Sequence, residues 1–490
     1  MLTRIPGIRY TSRAEGWRFL PRAALLLPLL AVLVLLQRNS ASVRAAQPSL
    51  LYAQTGCTSV YAQPDTHSTI LTDLNGGNDV VPVAQITSGG SAWEHVRIWS
   101  GIDGYIQSRD LGPRLPTHLE QIDCEYPGVP DPQSDILPAS HGPWPLSGAG
   151  KLIAPATLYS RPDASSLPVT GLAVGAPVTI ASWASDGGGS PWYQGTVGSQ
   201  NGWIWSGDVR LDQPDPVTHL VHGKPVWSPV AGKGMWFTNY LTRHSDPHAL
   251  IQSAKLAGIT HIYAEVAITR FGFYGRNSLD RLLPVAHAAG ISVVAWIYTT
   301  LSDVSADVRM SAQVANYVTP SGDRADGLCM DIEEVDDSAS VYTYGQALRA
   351  LLGPDELFVA SVYHPYAQTY YPYAAMAASW NVLAPMDYWH SRHHHTYTPA
   401  AVAHFVNNSI MTVRASATAL GTGAMIPIEE TGQMYDMYSD DGAGAQSAPS
   451  ADEITADMRT ARDYGCTGVS FFEWQTTTQA EWSAFDAFHW

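Results

Sequence analysis

Cysteine is scarce in this chain, with four in 490 residues. None forms a Cys-x-x-Cys pair or has zinc-ligand spacing, which argues against a structural zinc site and leaves no metal expected. Basic charge is short as well. Lys and Arg number 27 against 44 Asp and Glu, a formal net charge of −17. That balance argues against nucleic acid or an anionic membrane surface as the principal partner. No Gly-x-Gly-x-x-Gly opens the long C-terminal region, and P-loop, Gly-x-Ser-x-Gly and His-Glu-x-x-His motifs are missing. Dinucleotide, nucleotide, serine-hydrolase and zincin chemistries therefore have no support, and no cofactor is expected.

Aromatic residues are plentiful, with 16 Trp and 24 Tyr in a chain that is 45% hydrophobic. The length predicts two to four domains. Abundant Trp and Tyr beside acids suit carbohydrate, because sugar faces stack on aromatic rings.

At the N-terminus Arg4, Arg9, Arg13, Arg18 and Arg22 precede the apolar run Ala23–Leu36. Arginines so placed stay in the cytoplasm and send the downstream chain outward. The run is short for a membrane span and suits a signal peptide, with Val43-Arg44-Ala45 as a small-residue cleavage site. Residues 1–46 are thus expected to be a signal peptide or an uncleaved anchor, the only membrane contact, and the rest is expected outside the cell or on its surface. In that compartment Cys57 and Cys124 can close a disulfide. Cys329 and Cys466 read as buried thiols.

Residues 51–113 and 151–212 repeat each other. SVYAQPD (Ser59–Asp65) matches TLYSRPD (Thr157–Asp163), SAWEHVRI (Ser91–Ile98) matches SPWYQGTV (Ser190–Val197), and GYIQSRDL (Gly104–Leu111) matches GWIWSGDV (Gly202–Val209). Each copy is a series of short alternating strands broken by Gly, Pro and Asp turns. Both resemble bacterial SH3-like (SH3b) domains, small all-β barrels. The resemblance implies contact with cell-wall peptide or glycan, through Trp93 and Tyr105 or Trp192 and Trp203; Trp93 and Trp192 also fit core positions. Residues 114–150, rich in Pro, read as a semi-rigid linker, and 213–232 as a second.

From residue 233 the chain alternates strand and helix patterns. Strands are expected at Gly234–Tyr240, His261–Ala267, Ser292–Thr299, Gly327–Glu333, Leu357–His364, Val382–Trp389, Ala424–Glu430 and Gly468–Trp474. Helices are expected between them, as at Pro247–Leu256, Leu279–Ala289, Ser338–Leu352 and Ala451–Tyr464. Eight such units over residues 233–490 predict an α/β (β/α)8 TIM barrel, whose chemistry sits at the C-terminal ends of its strands. Those ends supply Asn239 and Tyr240, Glu265, Trp296 and Tyr298, and Asp331 with Glu333. They continue with Tyr363 and His364, Asp387 with Tyr388 and Trp389, Glu429 with Glu430, and Glu473 with Trp474.

The stretch ADGLCMDIEEV (Ala325–Val335) concentrates the signal. As a strand it carries Cys329, Asp331 and Glu333 on one side. Adjacent carboxylates at a buried strand end are costly unless solvated, paired or used. Glycosidic cleavage needs such a pair, one member of which is held protonated. DGLCMDIE resembles the DGxDxDxE motif of glycoside hydrolase family 18, the chitinase-like barrels, matching at Asp326, Gly327, Asp331 and Glu333. APMDYW is similar to that family's Met-x-Tyr-Asp at Met386 and Tyr388, and WFTNY (Trp236–Tyr240) resembles its aromatic first strand.

The resemblance implies that Glu333 protonates the leaving oxygen, Asp331 orients the substrate's acetamido group, and Tyr388 supports it. The acetamido group then acts as nucleophile. The chain departs from the pattern at Cys329, where the family has Asp, at Trp389, and in lacking Ser-x-Gly-Gly on strand 3. Other readings stay open: Glu333 paired with Glu430, Glu429 or Glu473 as in retaining glycosidases, a peptidoglycan muramidase-like barrel, or a barrel that binds glycan without cleaving it. Polysaccharide or peptidoglycan is the expected substrate in each. The loop WHSRHHH (Trp389–His395) is expected to be solvated, with one histidine contacting substrate, and Ser439–Ser450 is a flexible loop on the active-site side that can serve as a lid; its Asp440 and Asp441 are calcium-type ligands, but no EF-hand pattern accompanies them.

Overall fold

The computed structural model describes residues 50–55, 58–74, 79–98, 102–114, 141–212, 219–333, 335, 337–365, 371–390, 397–417, 426–435 and 448–490. The N-terminal segment 1–46, the Cys57–Cys124 pair, most of the linker 114–150, His393–His395 and Asp440–Asp441 lie outside those residues. Among the described residues no helix is long and apolar enough to cross a membrane.

The first repeat folds into seven strands: β1 (Leu51–Ala53), β2 (Thr58–Tyr61), β3 (Ile70–Leu74), β4 (Asp79–Ser88), β5 (Ser91–Arg97), β6 (Asp103–Gln107) and β7 (Leu111–Gly112). The second supplies β8 (Trp144–Leu152), β9 (Ala156–Tyr159), β10 (Pro168–Leu172), β11 (Pro177–Ser185), β12 (Pro191–Val197), β13 (Gln200–Trp205) and β14 (Val209–Leu211). Their sheet orders, β3-β2-β6-β5-β4-β1-β7 and β10-β9-β13-β12-β11-β8-β14, are the same order seven strands on. The repeat read from sequence is therefore a repeat of topology, built from antiparallel sheets. The long strands β4 and β11 each carry a register shift against the next strand, between Pro82 and Ala84 and between Ile180 and Ser182. In each copy the expected Trp is buried and meets a Tyr edge-on: Tyr61 with Trp93 and Tyr159 with Trp192, both at 5.7 Å. The second module begins earlier than the repeat implies, because Trp144–Gly150 belongs to β8 and pairs with β11. That part of the expected linker is strand.

Both modules rest on the C-terminal domain. The Leu211 N–H donates to Gln346 Oε1 at 2.8 Å, and the Tyr342 hydroxyl donates to the Val209 carbonyl at 3.2 Å. The Asp246 N–H donates to the Ile70 carbonyl of the first module at 2.9 Å. A small hairpin, β15 (Leu220–Val221) with β16 (Lys224–Pro225), precedes the barrel. The expected linker 213–232 thus contains a hairpin and buries Val226 and Val230.

The barrel strands are β17 (Gly232–Phe237), β18 (Ile259–Ile268), β20 (Ser292–Tyr298), β21 (Gly327–Asp331), β22 (Phe358–Tyr363), β23 (Val382–Met386), β24 (Glu429–Gln433) and β25 (Gly468–Phe472). All eight are parallel, and β17 pairs with both β25 and β18, which closes the ring. A two-residue strand β19 (Gly272–Phe273) pairs antiparallel to the end of β18. Helices between strands are α1 (Asn239–His244), α2 (Pro247–Leu256), α3 (Arg276–Ala289), α4 (Val304–Ala315), α5 (Ser338–Leu352), α6 (Tyr373–Ala377), α7 (Pro399–Ala417) and α8 (Ala451–Asp463), with α9 (Gln479–Ala487) last. Asp246, Asp303, Asp337 and Ser450 cap α2, α4, α5 and α8 through their side chains, the ordinary way to satisfy first-turn N–H groups.

One strand differs from expectation. The seventh runs Glu429–Gln433, not Ala424–Glu430, so both glutamates stand at its beginning rather than at the rim. The two acids read as a strand end, but the next residues, TGQ, continue the pairing with β25.

Candidate active site

Alternation along each strand decides what faces the barrel interior. Trp236, Tyr263, Trp296, Cys329, Val359 and Ala384 form an inner cluster. Above it a cavity of about 250 Å³ is lined by Trp236, Glu265, Ile268, Trp296, Tyr298, Asp331, Glu333, Ser361, Met386, Tyr388 and Phe472. It opens at the C-terminal ends of the strands, where barrel chemistry belongs. Seven residues expected from sequence meet there: Trp236, Glu265, Trp296, Tyr298, Asp331, Glu333 and Tyr388.

Asp331 ends β21 and is buried, accepting from Trp296 Nε1 at 3.1 Å through Oδ2. Burial, and then the neighbouring Glu333 charge, push its carboxyl well above the ordinary range. The Asp331 carboxyl is thereby held toward its neutral form. Glu333, two residues on and half-exposed, accepts from the Tyr363 hydroxyl at 3.0 Å through Oε2. The chain after β21 is tied in place by the Tyr371 hydroxyl, which donates to the Ile332 carbonyl. Trp236 is fixed by its Nε1–H donating to Ser470 Oγ at 2.9 Å, and it meets Trp296 edge-on at 5.0 Å. Tyr388 lies against Tyr435 and Phe472, at 5.3 and 6.2 Å.

Two strands from β21 in the ring, Glu265 of β18 accepts from the Asn239 N–H at 2.9 Å through Oε2 and from the Tyr274 hydroxyl through Oε1. Asn239 itself donates from Nδ2 to Ser278 Oγ at 3.1 Å. It stands in the first turn of α1 rather than on a strand, and it holds Glu265 from behind. Tyr240, its neighbour on α1, stacks against His244 at 4.3 Å.

Other expected residues face elsewhere. Glu430 is buried and points outward between strands and helices, where its charge interacts with Asp387 and Asp457. Asp387 is buried in the same group. Burial pushes all three carboxyls well above their ordinary range. Glu430 therefore cannot serve as partner to Glu333. Glu429 faces inward at the base, bound to buried His261 at 3.1 Å, and is also removed from the rim. Trp389 is buried with its Nε1–H donating to Glu453 at 3.1 Å, and His390 meets the same carboxylate at 2.7 Å. Glu473 is buried, and Trp474 packs edge-on against Phe237 and Trp482 at 5.0 and 4.8 Å, on the helix side. His364 packs against Phe405 at 5.0 Å.

Residues that the sequence did not point to include Phe472, Ser361 and Ile268 in the cavity, and Tyr274 and Tyr435 behind it; Met386, named by the strand-6 motif, also lines the cavity. Phe472 was legible in principle, since the inward positions of β25 run Gly468, Ser470, Phe472. Tyr274 carried no signal, because it comes directly after a two-residue strand. Cys329 and Cys466 are buried free thiols, as expected. Among the described residues no three His, Cys, Asp or Glu side chains group as a metal site.

No family model matches the chain, and no curated protein matches it. Among solved structures, a chitinase from Chromobacterium violaceum ATCC 12472 is similar at 13% identity, covering 52% of this chain and 98% of that one, with a TM-score of 0.37. A family GH18 chitinase from Cycas revoluta shares 17% identity over 52% of this chain and 97% of its own, with a TM-score of 0.40. The Bacillus cereus spore cortex-lytic enzyme SleL shares 8% over 52% and 73%, also at 0.40. Likeness of this degree does not bear on activity, which has to be read from the side chains.

Proposed function

We propose that this chain is an exported glycoside hydrolase that cleaves an N-acetylhexosamine-containing glycan. The observation that carries the reading is the pair Asp331 and Glu333 at the end of β21, in one cavity with Tyr388 and the Trp236 and Trp296 rings. The motif DGLCMDIE, similar to that of glycoside hydrolase family 18, supports it. Glu333 is the general acid and protonates the departing glycosidic oxygen. Asp331 orients the acetamido group, whose carbonyl oxygen attacks the anomeric carbon as the bond to the leaving sugar breaks. Water then opens the cyclic intermediate, its proton returning to Glu333. Tyr388 supports the acetamido group, and Tyr363 holds Glu333. The N-terminal segment 1–46 acts as signal peptide or anchor, and the two antiparallel modules are SH3-like domains that contact cell-wall peptide or glycan.

A second reading has its own observation. The thiol of Cys329 stands where the family pattern has an acid, and burial pushes it well above its ordinary range, so it is neutral. A barrel with that relay shortened can bind glycan without cleaving it. Hydrolysis of chitin oligomers, peptidoglycan and N-acetyl-free β-glucans, measured for the full chain and for Glu333→Gln, separates the two. Turnover of N-acetylated substrates alone, abolished in the variant, is the expected result. Cleavage of N-acetyl-free glucans refutes acetamido participation, and binding without turnover on any substrate leaves the binding protein.

A further inference from the structure

The cavity is lined by three carboxyl groups, Glu265, Asp331 and Glu333, and by no basic side chain among the described residues. Asp331 and Glu333 are engaged with each other and with the chemistry. Glu265 is not. It comes from a different strand, is nine-tenths buried beside Ile268, Trp236 and Trp296, and has no cationic partner among the described residues. The Asn239 N–H and the Tyr274 hydroxyl approach its two oxygens, which fixes the carboxyl in one orientation. Both are hydrogen bonds that favour the ionised form, yet burial, the larger effect, pushes the carboxyl up. A buried carboxylate held by hydrogen bonds but by no cation stays costly to ionise until a cation enters beside it.

We propose that Glu265 is a specificity residue for a free, protonated amine on the glycan, so that the cleft takes a partly de-N-acetylated amino-sugar polymer. This rests on the glycan-cleaving reading of the same cavity. The reacting ring keeps its acetamido group over Asp331, and a neighbouring ring presents its ammonium to Glu265. The whole-chain charge of −17 draws a polycationic chain toward the protein. A purely structural Glu265, holding α1 to β18, predicts no discrimination between acetylated and free amines.

The test is calorimetric binding to the full chain carrying Glu333→Gln, so that nothing is turned over. The ligands are an N-acetylglucosamine hexamer and a hexamer of mixed glucosamine and N-acetylglucosamine. The mixed hexamer is expected to bind more tightly, and adding Glu265→Gln should weaken it roughly tenfold or more while leaving the fully acetylated hexamer nearly unchanged. Equal binding of the two hexamers, or an equal loss for both on Glu265→Gln, overturns the proposal. Should Glu265→Gln not fold, salt decides with Glu265 intact: affinity for the mixed hexamer must fall as salt rises, and a salt-independent affinity refutes it. Turnover is scored separately with Glu333 intact. Amine-dependent binding without turnover of any glycan sinks the hydrolase reading and keeps this one. Turnover of acetylated chains with no preference for amines does the reverse.

Discussion

The buried acid group outside the barrel wall makes a sharp prediction about stability. Glu430 of β24 faces Asp387 at the end of β23, Asp457 on α8 and the Cys466 thiol, with Glu429 as its chain neighbour; Ser409 on α7 reaches Asp387, and Arg414 lies near Cys466. Asp457 packs directly over β24, its Oδ2 2.7 Å from where a Cβ on Gly432 would stand. All three carboxyls are fully buried, and burial raises each. The unfolded chain releases these protons above about pH 4, while the folded chain retains them. Folded protein then binds more protons than unfolded, so stability is full below the unfolded pKa and falls as pH rises toward the folded value. The slope is about 1.4 kcal/mol per pH unit for each retained proton. At roughly 2–4 °C per kcal/mol for a domain of barrel size, that is roughly 3–6 °C of melting temperature per pH unit for each proton. Glu430→Gln removes one such proton and supplies an amide donor to the remaining acids. The expected outcome is a shallower melting-temperature slope between pH 5 and 8, with the variant at least as stable as the parent at the alkaline end. Scanning calorimetry across that range is the assay. A flat parent profile, or a variant with an unchanged slope, would refute the protonated-cluster argument.

Three other outcomes are expected. Tyr363→Phe removes the hydroxyl donor to Glu333 and should lower kcat roughly tenfold to a hundredfold with little change in KM, read by steady-state kinetics on a cleaved glycan. Gly432→Ala pushes a methyl into Phe471 and Asp457 and should cost about 1–3 kcal/mol by urea unfolding. Cys329 and Cys466, buried and with thiols pushed up by burial, should escape iodoacetamide in the native protein and react after unfolding, as peptide mass mapping would show.

Periodicity made most of the fold legible. Helices at Pro247–Leu256 and Ser338–Leu352 fall where the apolar spacing predicted. Seven of eight strands overlap their expected spans closely, because a strand buried on both faces reads as a continuous apolar run. The seventh failed for the same reason: its inward and outward positions are occupied by EETGQ, a polar sequence that does not look like a buried strand. Pairing between Glu430 and Val469 sets its register, and no local pattern reports that partner. The site was legible where chemistry and strand end coincide, at Asp331 and Glu333. It was not where a hairpin supplies the support, as with Tyr274 behind Glu265; Asn239 was expected, but on a strand end rather than in the first turn of α1.

The misplaced strand changes the chemistry, not only the register. With Glu429 at the base and bound to His261, the inner column of the barrel runs from that pair through Tyr263 and the neutral thiol of Cys329 to Asp331. Cys329 feels both the Glu429 and the Asp331 charge. An acid in its place would add a third carboxyl between two others inside a dry wall, where like charges are costly. A thiol avoids that cost but leaves Asp331 without a carboxyl beneath it to share its proton. Burial and the Glu333 charge raise Asp331, while hydrogen bonds from Trp296 and Ser361 act the other way. Trp296, Ser361, Tyr363 and Tyr371 surround the pair. On the proposed glycan-cleaving reading, the substrate's own groups, at Asp331 and at Glu265, take over part of the electrostatic role that a longer chain of acids would have filled.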